Sequence, residues 1–326
     1  MSSEIINENG PILSVKDLKV QYSAGGAIVK AVNGVSFELK KGKTLALVGE
    51  TGAGKTTIAK AIMSILPNPP AKIMGGEIYL EGENMLKMKE KKLRGIRGRK
   101  ISMIFQDPMT ALSPVYTIGN QIEETYKEHN KVSKAEAKNR TIELLNMVGI
   151  PAERYGEYPH QFSGGMRQRV VIAIALACNP DIIIADEPTT ALDVTIQAQV
   201  LDLIYRLREQ HGTSMILITH DLGIVAENCD EVAIVYAGEI VEIGDKEHIF
   251  NHTTHPYTKG LFDALPDMAD TKGELKPIKG LPPDPTDLPK GCKFNPRCPF
   301  ATEKCATEEP ELREIADGHF VRCFNV

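Results

Sequence analysis

The segment Gly49-Glu50-Thr51-Gly52-Ala53-Gly54-Lys55-Thr56 is the tightest constraint on this chain. It matches G-x-x-x-x-G-K-[ST], follows the apolar run Thr44–Val48 and precedes a helical pattern over residues 55–66, the strand-loop-helix context in which that spacing works. Glycines let successive backbone N–H groups curl around phosphate oxygens at the positive end of a helix. Lys55 then reaches the β- and γ-phosphates, and the Thr56 hydroxyl ligates Mg²⁺.

A second segment supplies the complementary chemistry. Ile182-Ile183-Ile184-Ala185-Asp186-Glu187 is a hydrophobic strand that delivers Asp186 to a metal at its carboxyl end, where ligands of parallel sheets collect. Glu187 follows directly and is placed to polarise an attacking water. Together the two segments predict a nucleoside triphosphatase.

The remaining pattern is that of an α/β chain. Short strands are expected at 13–20, 34–39, 75–80, 101–105, 181–185 and 215–219, with a hairpin of 231–236 and 239–243 across Ala237-Gly238. Residues 107–170 read as a mostly helical insertion; within it 134–147 carries Ile142, Leu145 and Val148 on one face. Ser163 is a good helix N-cap, and the helix it opens carries Val170, Val171, Ile174, Ala177 and Cys178 before Asn179-Pro180. Prolines at 266, 277, 282, 283, 285 and 289 leave little room for a helix or central strand near the end. The expected division is a domain over 1–250 and a small separate extension over 251–326.

Composition narrows the partners. With 42% apolar and 25% charged residues and a net charge of −5, the 326-residue chain is globular and has no basic bias toward nucleic acid. The basic run 87–100 is interrupted by Glu90 and reads as a solvated surface. The longest apolar run, 170–178, falls short of the ~20 residues that cross a bilayer. MSSEIINENG lacks the features of a signal peptide, so a reducing cytoplasm is expected.

Phe162-Ser163-Gly164-Gly165-Met166-Arg167-Gln168-Arg169 places a serine and two glycines at another helix start. Taken in order with the other motifs, it resembles the signature of ABC-transporter ATPases, over about residues 12–245. The resemblance implies a P-loop ABC ATPase domain with a mixed sheet core, an antiparallel β subdomain and a helical subdomain, followed by an irregular Cys-rich extension. It also implies ATP contacts from Tyr22, which matches the aromatic that stacks on adenine, from Gly49, Glu50, Thr51, Gly52, Ala53, Gly54, Lys55, Thr56 and Thr57, and from Gln106, Ser163, Gly164, Gly165 and Asp193. Mg²⁺ falls to Thr56, Gln106 and Asp186, and catalysis to Glu187, His220 and Gln106. Ala53 and Thr190 stand where the family commonly has serine. Two such domains packed head to tail close over ATP, Ser163 and Gly165 of one facing Lys55 of the other.

Three further stretches, 106–112, 164–173 and His255-Pro256-Tyr257-Thr258-Lys259-Gly260-Leu261, are similar to the dipeptide/oligopeptide importer ATPases and their nickel-importer relatives, most closely the D-type subunit. That similarity implies a second, related ATPase as partner, two membrane permeases, an external binding protein and a place on the cytoplasmic face of the membrane. The competing class is a soluble ABC ATPase of DNA repair or translation. Such proteins typically carry two cassettes or a long coiled coil; this chain has one cassette and neither.

Cys292, Cys298, Cys305 and Cys323 crowd the last 35 residues as C-x5-C-x6-C-x17-C. Disulfides suit such a tail only in an oxidising compartment. Zinc prefers closer cysteine pairs, wider loops suit a [4Fe–4S] cluster, and free thiols are the remaining alternative. The resemblance to D-type subunits implies the cluster. Cys178 and Cys229 read as small core residues, and His248 and His252 as structural histidines.

Overall fold

The computed structural model describes residues 10–190, 192–264 and 277–326. Residues 1–9 of the N-terminal decapeptide, Ala191 and Pro266 lie outside the described residues. The chain forms two compact units: one comprises 1–38, 45–86 and 220–326, the other 39–44 and 87–219.

In the first unit, Leu13–Ala24, Ala27–Leu39, Ala71–Leu80 and Glu83–Asn84 form an antiparallel sheet in which Leu13–Ala24 lies between Ala27–Leu39 and Ala71–Leu80. Each of the three long strands runs beyond one of its expected ends, to Ala24, from Ala27 and from Ala71 respectively. A second sheet in this unit is mixed. Thr44–Val48 pairs in parallel with Glu231–Tyr236 (Leu45 opposite Glu231, Val48 opposite Ile234), and Glu231–Tyr236 pairs antiparallel with Glu239–Asp245. Thr44–Val48 is buried at every position, which is why it reads as a continuous apolar run.

The C-terminal residues join this same unit. His319–Val321 pairs with Glu239–Asp245, and Arg313–Ala316 covers its other side as an exposed edge strand. The segment after residue 250, expected as a separate small domain, is therefore continuous with the sheet that precedes it. The prolines at 277–289 precede both strands of this hairpin, which contain none, and the short helix Glu303–Thr307 lies between.

The second unit holds the parallel ladder of Ile101–Ile104, Ile182–Asp186 and Ser214–Thr219, with Ile182–Asp186 central and buried throughout. Around this ladder lie Ile118–His129, Lys134–Met147, Gly164–Leu176 and Val194–His211. Ser133 and Glu136 close a reciprocal capping box at the start of Lys134–Met147. Gly164–Leu176 is apolar on nearly all sides, with Val170, Val171, Ile172, Ala173, Ala175 and Leu176 buried, rather than on the single face its periodicity suggested. In the basic run, Glu90 pairs with Arg97 and Arg94, so its charge is partly balanced on its own helix.

Candidate functional site

The phosphate loop leaves the buried strand Thr44–Val48 and enters the helix Lys55–Ile62. Its first and last glycines are obligatory for different reasons. A Cβ on Gly49 would stand 2.1 Å from the Val235 carbonyl oxygen. Gly54 has φ +103° and would bring a Cβ to 2.4 Å from the Ala31 carbonyl. The helix N-cap is Gly54, so no side chain occupies the amides of the first turn. Lys55 is buried, and its ammonium donates back across the loop to the carbonyls of Gly49 (2.7 Å) and Glu50 (3.1 Å). Tyr22 reaches Thr57 through a hydroxyl–hydroxyl contact of 3.3 Å, joining two of the expected nucleotide residues.

Each polar group of Glu50 is engaged by protein. Its N–H donates to the Tyr257 hydroxyl (3.0 Å), its carbonyl accepts from Lys55, and its carboxylate takes two bonds from the Arg297 guanidinium (2.7 and 3.0 Å). Arg297 and Tyr257 are absent from the sequence expectation for this site. Tyr257 lies in the quoted His255–Leu261 stretch, but nothing in the sequence near Arg297 signals a loop 247 residues away. Proline residues 282, 283 and 285 face the same loop across a cleft of about 190 Å³ that Glu50, Thr51 and Ala53 also line.

In the second unit, Asp186 ends its strand almost fully buried. Glu187 turns out of the strand with φ +44°, a left-handed conformation rare for a residue with a side chain. Its backbone N–H is tied to the Ile218 carbonyl (2.9 Å), and one carboxylate oxygen accepts from both the Gln106 amide and the Thr190 hydroxyl, each at 2.9 Å. Gln106 and Glu187, expected separately as catalytic residues, lie within hydrogen-bond distance of each other, and Thr190 joins them.

Ser163 caps its helix through the Met166 N–H, as expected. Gly165 has Ile196 at 2.5 Å from a would-be Cβ, and Gly164 has Leu192 at 3.7 Å, so the residues around Asp193 pack on this helix start. Asp193 is the N-cap of Val194–His211. His220 stands exposed just after Ser214–Thr219, and Asp221 caps the next helix through Gly223 and Ile224.

The four C-terminal cysteines are free thiols, as are Cys178 and Cys229. Cys292 donates its N–H to the Cys305 carbonyl, and Cys298 closes the turn from Asn295. Burial pushes the Cys292 thiol up to about 11, and the thiols of Cys305, Cys323 and Cys298 push the same way. Cys298 and Cys323 are raised by burial first and by their neighbouring thiols next. The four sulfurs therefore lie in one neighbourhood, where gathering negative charge is unfavourable unless a cation balances it. Among the described residues, no group of three or more thiol, imidazole or carboxylate side chains is close enough to hold a metal ion. Cys229 is a core residue and Cys178 is half-buried against Thr125 and Asn130. His248 stacks on His319, and its backbone N–H donates to the side chain of Asp245, the N-cap of its helix (2.8 Å).

Comparison with known proteins decides the family. The ABC transporter family model matches residues 32–190, and that of the oligopeptide/dipeptide transporter C-terminal region matches 241–305. The dipeptide transport ATP-binding protein DppD of Bacillus subtilis is 50% identical, over 96% of this chain and 94% of that one. The chain belongs to the ATP-binding subunits of the peptide ABC transporters. The oligopeptide transport protein OppD of Bacillus subtilis is 49% identical (95% of this chain, 88% of the relative), and DppD of Escherichia coli 45% (96% of each). Among solved structures, the ATP-binding cassette MJ0796, a dimer in a post-hydrolysis state with ADP and Pi, superposes with a TM-score of 0.65 at 29% identity, covering 72% of this chain and 98% of that one.

As an ABC ATP-binding subunit the protein hydrolyses ATP. The family also accounts for the fold, a mixed α/β cassette with an antiparallel sheet and a helical portion. Among the described residues no helix is long and apolar enough to cross a membrane.

Proposed function

We propose that this ABC subunit drives import of dipeptides or oligopeptides, as the names of its relatives suggest, from the cytoplasmic face of a membrane that its permease partners span. The observation that carries the catalytic assignment is the pair of donors on one oxygen of Glu187: Gln106 and Thr190 hold that carboxylate in a single orientation. In this reading Glu187 polarises the attacking water, and Gln106 and His220 orient it and contact the γ-phosphate. Gly49, Thr51, Gly52, Ala53, Gly54, Lys55, Thr56 and Thr57 bind the phosphates, and Tyr22 stacks on the adenine. Ser163, Gly164, Gly165 and Asp193 act across a head-to-tail dimer, with a second, related ATPase as partner.

Asp186, Thr56 and Gln106 offer oxygen donors of the kind that suit Mg²⁺, which neutralises phosphate charge when bound. For the four C-terminal thiols, which are not gathered into a ligand group as they stand, the resemblance to D-type subunits and the softness of thiolates point to a [4Fe–4S] cluster first, zinc as the alternative. Such a group contributes folding energy to a tail poor in apolar core. An extracellular or periplasmic binding protein and the permeases select the cargo.

Glu187→Gln tests the catalytic assignment. The variant is expected to bind ATP, accumulate as the closed dimer and lose turnover. Hydrolysis at the parent rate refutes the role of Glu187. Co-purification of the tagged chain with two membrane permeases tests the transport assignment, and association with ribosomes or DNA instead would sink it.

A further inference from the structure

A phosphate-binding loop that carries a carboxylate faces an electrostatic conflict. The loop gathers N–H groups and Lys55 to receive a highly charged anion, and Glu50, its second residue, brings a negative charge to the same place. The fold answers with a residue from the far end of the chain. Arg297 donates to both carboxylate oxygens of Glu50, a bidentate geometry that an ammonium cannot reproduce. The Arg297 side chain is 5% exposed and that of Glu50 28%, so the pair is shielded from the solvent that weakens surface ion pairs.

The arginine is itself held in place. Its Nε donates to the Lys279 carbonyl (3.2 Å), its guanidinium lies 5.7 Å from the Tyr236 ring centre, and it donates to the Tyr236 hydroxyl (3.4 Å). Tyr236 packs on Tyr257 (4.5 Å between ring centres) and on Phe294 (5.2 Å), and Tyr257 takes the Glu50 N–H. The turn that presents Arg297 is closed by Cys292 and Cys298 on either side: Asn295 donates to the Cys292 carbonyl, and Cys298 to that of Asn295. Side chain and backbone of Glu50 are thus both pinned by the C-terminal region. The carbonyl left over is one of the two that seat Lys55.

We propose that Arg297 is a positioning residue of the ATP site, which neutralises and fixes Glu50 so that the loop can take a triphosphate. It acts through Glu50 and not by touching nucleotide. The proposal rests on the reading that residues 49–56 bind the phosphates, and it extends that reading to a residue outside every nucleotide motif of the chain.

The test uses the full chain and a fluorescent ATP analogue at equilibrium, with ATPase rates alongside. Arg297→Ala is expected to raise Kd and KM for ATP about tenfold, with a much smaller change in kcat, because what is lost is binding common to ground and transition states. The double variant Glu50→Gln/Arg297→Ala removes the unneutralised charge and is expected to recover affinity to within about threefold of the parent. Where Arg297→Ala does not fold, Arg297→Gln, which drops the charge but keeps length, is expected to show the same tenfold rise. Unchanged KM in a folded Arg297 variant overturns the proposal. So does a folded double variant as weak as the single one, since a purely structural role for Arg297 gives that result. Lys55→Ala separates the two levels: it is expected to lose ATP binding whatever stands at 50 and 297, and retained binding overturns the loop assignment and the proposal with it.

Discussion

The Thr190 hydroxyl and the Gln106 amide converge on the same Glu187 carboxylate oxygen, each at 2.9 Å. The acid that follows the buried strand therefore stands in one orientation, with its backbone in a left-handed conformation and its N–H donating to the Ile218 carbonyl. Thr190→Ala removes one of the two donors and is expected to lower kcat roughly threefold to tenfold, the worth of one ordinary net hydrogen bond. Thr190→Ser keeps the hydroxyl and is expected to retain the parent rate. Equal losses in both variants would point to the methyl group instead, and steady-state ATPase assays separate the two.

Gly54→Ala places a Cβ 2.4 Å from the Ala31 carbonyl at φ +103°. The strain is of order 1–3 kcal/mol and falls on the residue that starts the helix after the phosphate loop. Loss of ATP binding together with a lower melting temperature is expected. Gly52→Ala, with nothing within 4 Å of its Cβ but φ +84°, is expected to be the milder variant by the same two measurements.

Acid sensitivity follows from His255. Burial drives its pKa down to about 3, and its Nδ1 accepts the Tyr257 N–H at 3.1 Å, which requires the neutral ring. The unfolded chain takes up this proton near pH 6.5 and the folded chain only near 3, so the unfolded state binds more protons throughout that window. The stabilisation is complete above pH 6.5 and declines on acidification by up to about 1.4 kcal/mol per pH unit from this group. His255→Asn keeps an N-cap acceptor and removes the titration. Urea melts from pH 7 to pH 4 are expected to show a shallower loss of stability in the variant than in the parent.

Glu242 is fully buried and accepts from the backbone N–H groups of Thr254 (2.8 Å) and His255 (3.1 Å) and from the His319 ring (2.9 Å). Glu242→Ala strands these donors in the interior and is expected to cost about 3–5 kcal/mol in chemical denaturation. The C-terminal hairpin should open first, because His319–Val321 pairs with the strand that carries Glu242. Hydrogen exchange of residues 313–321 is the direct readout.

The proposal of an iron–sulfur cluster in the tail is checked on the full chain purified anaerobically: on that proposal the parent shows iron and visible charge-transfer absorption, Cys305→Ser loses both and Cys178→Ser keeps them, while metal-free colourless parent protein refutes it. Zinc at one equivalent in colourless parent protein would replace iron as the occupant.

Much of the candidate site was legible because its motifs are local. Gly49–Thr56 and Ile182–Glu187 each depend on a strand, a turn and a few residues whose spacing the chain alone sets, and the structure puts them at the strand ends their patterns require. Ser163 caps its helix for the same reason. The C-terminal region read poorly: its hairpin is made of two strands of three and four residues, too short to show a periodicity, and pairs onto Glu239–Asp245.

By itself the sequence determined the α/β class, the positions of the phosphate loop and the strand-end acids, and the family. These rest on short-range periodicity and on glycine conformations that hold wherever the segment lies. Only the tertiary structure decided that Thr190 shares the Glu187 oxygen with Gln106, 81 residues before Glu187, and that Arg297 neutralises Glu50 across 247 residues. An ion pair between such distant residues leaves no pattern in the intervening chain. Its existence depends on packing that brings Tyr236, Tyr257 and Phe294 together beneath it.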